Sequence, residues 1–458
     1  MSKITINPQQ LGANNFRQRY GIKYAYLTGS MYRGISSKEI VVAMGKANLL
    51  GFLGTGGMNS KKIESDILFI QQQLHPEQIY GANLLCDINY PDREMETVEL
   101  YLKLGVTCVE ASAFMQMTPA LVYYRIMGLY KSPDGSIECK HKIIAKISRP
   151  EVALTFMSPP REDIVKKLLD KGQISQEQAE MATHVAMSYD LCVEADSGGH
   201  TDQGVAFALL PAIQSLRQQV EKDFEYNQKI HIGLAGGIGT PQAAVAAFMM
   251  GADFILTGSI NQCTVESGTS DCVKNLLQGI NVQDTDYAPA GDMFELGAKV
   301  QVLKKGVFFP ARARKLFTLY EHYNCLEDIP ENIKKQIESK YFQKTFTQVW
   351  QEVEKYYREE GQLSTLEKAA VNPKHKMALL FKWYFAYSTN LALNGDEKNI
   401  VDFQVHTGPA LGAFNQWVKG SEIESWNKRH VDQIAEKIMQ EATFLLDSQI
   451  NHLFLQLF

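Results

Sequence analysis

A chain of 458 residues, 45% hydrophobic and 21% charged, has ordinary globular composition and is too long for one small core. A large domain plus a smaller one is therefore expected, and a formal net charge of −5 argues against a general nucleic-acid binder. No apolar run approaches the roughly twenty residues that span a bilayer, and the opening M-S-K-I-T-I-N-P-Q-Q lacks the apolar stretch of a signal peptide, so no membrane is expected as a partner.

Short apolar runs at 24–28, 51–53, 79–85 and 106–109 read as strands, and so do those at 143–147, 191–194, 230–234 and 254–256. Helical segments alternate with them. One runs from 37 to 48 with Ser36 or Ser37 as its cap, and one from 92 to 104 with Gly105 just beyond it. Thr240-Pro241 opens another, an Ala-rich helix ending at Met250-Gly251. Continuous apolar strands alternating with helices make a parallel sheet covered on both faces. Eight such units predict an α/β fold, a closed (β/α)8 TIM barrel. An open doubly wound sheet would place its phosphate glycines after the first strand, whereas the glycines here follow the sixth, seventh and eighth.

Beyond about residue 305 the chain turns to long, charged, aromatic-rich helices at 311–323, 330–341, 346–360 and 374–393. The expected division is a barrel over 1–305, a helical substrate-binding subdomain over 306–400, and a C-terminal segment over 401–458 that packs back on the barrel. The aromatics of the helical part, among them Tyr320, Tyr341, Phe342, Phe346, Tyr356, Phe381, Tyr384 and Phe385, are expected to build its own core. Ile434, Ile438, Ala442 and Leu445 form a helical stripe for docking the last helix.

Barrel active sites lie where strands exit at their C-terminal ends. The first exit carries Gly29, Ser30, Met31, Tyr32 and Arg33. The second carries Gly54, Thr55, Gly56 and Gly57, small residues that suit either a flat ligand or a tight turn. Asn83 is a buried amide in need of partners, and Glu110 and Ser112 follow on the fourth strand. Lys146 on the fifth strand must meet a carboxylate or an anionic ligand, and the ligand is the favoured partner. The sixth run ends in E-A-D-S-G-G-H-T-D, where His200 follows Gly198-Gly199 and Glu194 or Asp196 could orient it. A-G-G-I-G-T-P at 235–241 and T-G-S-I at 257–260 suggest main-chain amides around one phosphate, beside a helix start.

No metal motif, P-loop or G-x-S-x-G elbow is present, and G-T-G-G lacks the full dinucleotide spacing. Seven cysteines form no C-x-x-C pair, which fits a reducing compartment, the cytoplasm by default. Cys86, Cys108 and Cys192 lie in apolar strand-like runs, where thiols act as small core hydrophobes.

These motifs, with Y-G-I-K-Y-A-Y-L-T-G-S-M-Y-R-G-I-S-S, G-F-L-G-T-G-G-M, A-K-V-Q-V-L-K-K-G-V-F-F-P-A-R-A-R-K-L and G-P-A-L-G-A-F-N-Q-W-V-K-G, resemble the PfaD-like flavin enoyl reductases. These are trans-acting enzymes of polyketide and polyunsaturated fatty acid synthases, within the nitronate monooxygenase / 2-nitropropane dioxygenase-like group. The resemblance implies tightly bound FMN, NADPH as reductant, and an enoyl thioester on an acyl carrier protein as acceptor, with assembly into a polyketide synthase complex. It implies flavin contacts at Gly29, Ser30, Met31, Asn83, Lys146, Ser197, Gly198 and Gly199. Phosphate contacts would fall at Ala235, Gly236, Gly237, Thr257, Gly258 and Ser259.

Lys146 would stabilise charge on the reduced flavin. His200 is the first candidate for proton donor to the α-carbon and Tyr32 the second, with solvent a third source. Lys304, Lys305, Arg312, Arg314 and Lys315 form a basic cluster suited to an acidic carrier protein, or a solvated face. A nitronate monooxygenase-type oxidoreductase is the alternative, and a flavin-free phosphate-binding barrel a third reading. Chain length, branching and pathway are not legible.

Overall fold

The structure is a computed structural model that describes residues 6–87 and 90–457. Residues 1–5, on which part of the signal-peptide expectation rests, lie outside the described residues. The chain divides into two compact units. The first comprises 1–196, 202–268 and 417–458, the second 197–201 and 269–416.

The first unit holds a closed barrel of eight parallel strands. They are β1 Tyr26–Thr28, β2 Leu50–Leu53, β3 Gly81–Leu85, β4 Cys108–Ser112, β5 Lys142–Ile147, β6 Asp190–Glu194, β7 His231–Ala235 and β8 Ile255–Thr257. Each strand pairs with the next in sequence, and β8 closes on β1 through Tyr26↔Ile255 and Thr28↔Thr257. The TIM-barrel expectation holds, with strand bounds shifted by up to three residues.

Local chemistry accounts for the helices between strands. Ser37, not Ser36, caps helix Lys38–Lys46 by accepting from the Ile40 amide. Gly105 ends Pro91–Leu104 in the left-handed conformation. Thr240 accepts from the Ala243 amide at 3.3 Å, with Pro241 opening helix Pro241–Met249.

Inside the barrel, Leu27, Leu50, Phe52, Cys108, Ile144, Cys192, Ala235 and Leu256 form one core cluster. The N-terminal helix Asn14–Tyr20 adds Phe16 to that cluster, stacked on Phe254 with ring centroids 4.2 Å apart. Truncating Phe16 to alanine is expected to cost about 3–5 kcal/mol, because the site is fully buried. Urea unfolding of the two proteins would measure it, and a loss below about 1 kcal/mol would show that the helix does not seal the core. Helix Val431–Leu457 packs on Lys38–Lys46 and Pro241–Met249, with Ile434, Ile438 and Ala442 buried as the stripe predicts and Leu445 only partly so.

The second unit begins well before residue 306. Residues 269–305, expected in the barrel, instead supply an antiparallel pair, Thr285–Pro289 with Lys299–Leu303. Lys299–Leu303 pairs in turn with Gly199–His200 through Val300↔His200 and Gln301↔Gly199. Lys299–Leu303 is thus the central strand of a three-stranded antiparallel sheet, with Val300 to Leu303 buried. The unit also runs on to Gln416, past the expected boundary at 400.

Helices Phe309–His322, Phe346–Glu359 and Pro373–Asn394 surround an aromatic core of Phe294, Phe309, Phe342, Phe381, Tyr384 and Phe385, as the composition predicts. Tyr356 is the exception and lies exposed. The expected helix over 330–341 is shorter, Glu331–Gln336, and continues as a π turn over Ile337–Phe342.

Candidate active site

Strand register decides which side chains share a layer. Cys108, Ile144 and Cys192 on β4, β5 and β6 point into the barrel core. Two residues further along each strand the same face carries Glu110, Lys146 and Glu194. Lys146 Nζ lies 2.7 Å from Glu194 and 3.5 Å from Glu110, and Glu110 is wholly buried. Burial pulls the Lys146 ammonium down, but the two carboxylates outweigh it and hold its titration above the usual lysine range. Burial likewise pushes the Glu110 carboxyl up, opposed by Lys146 and by the Ser30 amide that donates to it at 2.7 Å.

Within the protein, Lys146 meets two carboxylates. Asn83 is similarly supplied from within: its amide donates to the Glu110 carbonyl at 3.1 Å and to Ser112 Oγ at 2.9 Å.

The first two exits pack on each other. A Cβ on Gly54 would fall 1.7 Å from the Met31 carbonyl oxygen, so the tight-turn reading accounts for this glycine. Ser30, Met31 and Tyr32 are partly exposed on this loop, while Gly29 is buried with its amide donating to Thr257 O at 2.9 Å. Arg33, Ala113 and Gln203, on the loops after β1, β4 and β6, adopt positive φ, the kind of local strain that collects at functional loops. Arg149 at the β5 exit grips Asp202 through two bonds of 3.1 and 3.0 Å, and Ser148 donates to the same carboxylate at 2.6 Å. Neither pairing was legible from sequence.

The β7 and β8 exits are open. A Cβ on Gly237 or Gly258 would meet nothing within 4 Å, and Gly237 has φ +75°. Gly236 is different: its φ is +90° and a Cβ would strike the Ala195 carbonyl oxygen at 2.5 Å. Ser259 starts the short helix Ser259–Gln262. The Thr257 hydroxyl is engaged with Tyr26 and Asn261, and its carbonyl accepts from the Gly29 amide and from Asn261. Ala235 is buried, and its carbonyl accepts from the Ala195 amide. Open space over Gly237 and Gly258, beside the capped start of helix Pro241–Met249, fits a phosphate held by main-chain amides.

Ser197, Gly198, Gly199 and His200 belong to the second unit. His200 Nε2 is 2.9 Å from Asp292 Oδ1. The expected basic cluster is also altered. Arg312 turns inward to Asp402, Arg314 pairs with Asp286 at 2.8 Å and Lys305 with Asp284 at 3.4 Å. Lys304 and Lys315 stay exposed. Among the described residues no helix is long and apolar enough to cross a membrane.

The eight parallel strands and the helices between them make the first unit a (β/α)8 barrel. The structure superimposes on the enoyl reductase domain of MlnA from the macrolactin biosynthesis cluster of Bacillus amyloliquefaciens with a TM-score of 0.93 and 46% identity, covering 97% of this chain and 99% of that one. The chain is 52% identical to the polyketide biosynthesis protein PksE of Bacillus subtilis over 98% of its own length. Over 95% of its length it is 40% identical to a polyunsaturated fatty acid synthase polypeptide of Thraustochytrium. It spans 58% of PksE and 29% of that synthase polypeptide. Residues 323–403 match the family model of the inserted helical domain of acyl-carrier-protein S-malonyltransferase. The chain belongs to the PfaD-like enoyl reductase family of polyketide and polyunsaturated fatty acid synthases.

Proposed function

We propose that this chain is a trans-acting, FMN-dependent enoyl reductase that uses NADPH to reduce the α,β-double bond of enoyl thioesters carried on an acyl carrier protein. The observation that carries this reading is the likeness to the MlnA enoyl reductase domain, 46% identical and matched over 97% of this chain. FMN, when bound, would supply the hydride chemistry that links NADPH to the enoyl β-carbon. Amides of Gly236, Gly237, Gly258 and Ser259 hold the phosphate. The first-exit loop of Gly29, Ser30 and Met31 lies against the ring system, its position fixed by the bond from Ser30 to Glu110. Lys146 acts through that same carboxylate layer, keeping Glu110 and Glu194 in place. His200 delivers a proton to the α-carbon, with Tyr32 the weaker candidate. The second unit, which contains the helical-domain match, receives the carrier-bound acyl chain.

The test uses purified protein, NADPH and a crotonyl thioester. The protein is expected to be yellow and to yield the saturated thioester, two mass units heavier, at one NADPH per turnover. Oxygen-dependent turnover of a nitroalkane with no thioester reduction would overturn the reading in favour of a nitronate monooxygenase. A colourless protein to which flavin cannot be restored would overturn both.

A further inference from the structure

Residues 304–315, K-K-G-V-F-F-P-A-R-A-R-K, carry five cations and no carboxylate in a chain with a formal net charge of −5. They lead from strand Lys299–Leu303 into helix Phe309–His322, wholly within the second unit. The two phenylalanines take opposite sides. Phe309 is buried in the aromatic core, whereas Phe308 is 58% exposed. The Phe308 amide donates to the Val401 carbonyl at 2.6 Å, which joins it to a second apolar residue at the surface, 40% exposed. Arg312, one helical turn on, sets its guanidinium over the Phe308 ring at 5.5 Å and over Tyr341 at 4.9 Å.

Charge around this apolar pair is unevenly exposed. Lys304, Lys305, Arg314 and Lys315 all reach solvent, and so does Lys398, three residues before Val401. Lys315 lies two helical turns beyond Phe308 and so shares its side of the helix. The neighbouring acids are drawn in. Asp402 is buried against Arg312. Asp284 and Asp286 are half-buried, at 3.4 Å from Lys305 and 2.8 Å from Arg314. Asp396 is half-buried as the cap of the turn Glu397–Asp402, and Glu397 is the exposed acid of that turn. The face that solvent meets is therefore cationic around an aromatic centre.

We infer that Phe308 and Val401, rimmed by Lys304, Lys315 and Lys398, form the surface on which the acyl carrier protein docks. This rests on the enoyl reductase reading and deepens it, since it concerns where that partner binds. The charge selects the occupant: exposed ammoniums repel a basic partner and steer an acidic one, speeding encounter more than they tighten the complex. The apolar pair supplies what charge does not. An aromatic anchor inside a polar rim is where interface energy concentrates, and covering Phe308 removes apolar surface from water. A contact of one anchor and a few long-range charges also dissociates readily, as a carrier that departs after each turnover must.

The experiment compares the wild-type chain, Phe308→Asp and the double variant Lys304→Glu/Lys398→Glu, all loaded with FMN, on two substrates. One is the crotonyl thioester of an acyl carrier protein, the other crotonyl N-acetylcysteamine. Each variant is expected to raise KM for the carrier-bound substrate roughly tenfold or more, with kcat and the kinetics of the small thioester unchanged. Wild-type KM for the carrier should climb as salt rises from about 20 to about 300 mM, and the double variant should lose most of that dependence. Phe308→Leu, which keeps an apolar anchor, should retain most of the affinity. Should Phe308→Asp fail to fold, the double variant and its salt profile decide. An unchanged carrier KM in the double variant, equal slowing of both substrates, or a salt-insensitive wild type would overturn the docking surface. Loss of self-association in Phe308→Asp with carrier KM unchanged would overturn it too, and give the face to a second copy of the chain. A wild-type holoenzyme that reduces neither substrate would instead overturn the enoyl reductase reading.

Discussion

Replacing Lys146 with methionine is expected to destabilise the barrel by about 3–5 kcal/mol at neutral pH, because it strands Glu110 as an unpaired buried carboxylate with Glu194 nearby. The loss should depend on pH, and the sign follows from the two titrations. Lys146 has a raised folded pKa, so its contribution is complete below the ordinary lysine value near 10.4 and disappears only at higher pH. Glu110 is also raised, by burial first. For an acid this means a cost that is present when it is ionised and relieved as pH falls through the folded value. Without Lys146 that cost grows. The deficit of Lys146→Met should therefore be largest at pH 8 and shrink steadily towards pH 5. Urea midpoints at pH 5, 6.5 and 8 measure it. Adding Glu110→Gln should recover part of the loss at pH 8, since a neutral amide can still accept from the Ser30 amide. A deficit that is flat with pH would mean that Lys146 matters only as packing.

That pairing also shows where a linear reading stops. The eight strands were legible because each is a short, continuous apolar run, and their exits were legible because glycine marks a chain that must turn sharply. The type of residue at 146 signalled a buried cation. Which anion it meets depends on a register that sets Glu110 and Glu194 on the neighbouring strands, information held in three separate segments. The basic cluster is thinned for a related reason. Arg312 lies four residues before buried Leu316 and so shares its inward face, a matter of helix phase rather than of charge count. Asp292 had no local mark at all. Its partner is 92 residues earlier, and only the pairing of Gly199–His200 with Lys299–Leu303 brings the two together. The small residues after β2 had two readings; Gly54 settles as packing against Met31, whereas Gly237 and Gly258 keep open space.

Gly258→Asp is expected to yield a folded but colourless protein. The glycine's φ of −124° is negative and a Cβ there meets nothing within 4 Å, so the side chain itself costs little. Its carboxylate, however, would stand beside the phosphate dianion of FMN bound as proposed. A like-charge juxtaposition of this kind costs several kcal/mol, and each 1.4 kcal/mol weakens binding about tenfold. FMN affinity should therefore fall by about a hundredfold or more, read by titrating apoprotein and following flavin fluorescence. Gly258→Ala is the control: it adds bulk without charge and should stay yellow with near wild-type affinity. Gly236→Ala should behave differently again, because its Cβ collides with the main chain of Ala195 and Asp196, and should lose stability along with flavin. If Gly258→Asp binds FMN as tightly as the wild type, the phosphate does not lie at the β8 exit. If Gly258→Ala loses flavin as completely as Gly258→Asp, the effect is steric and charge plays no part.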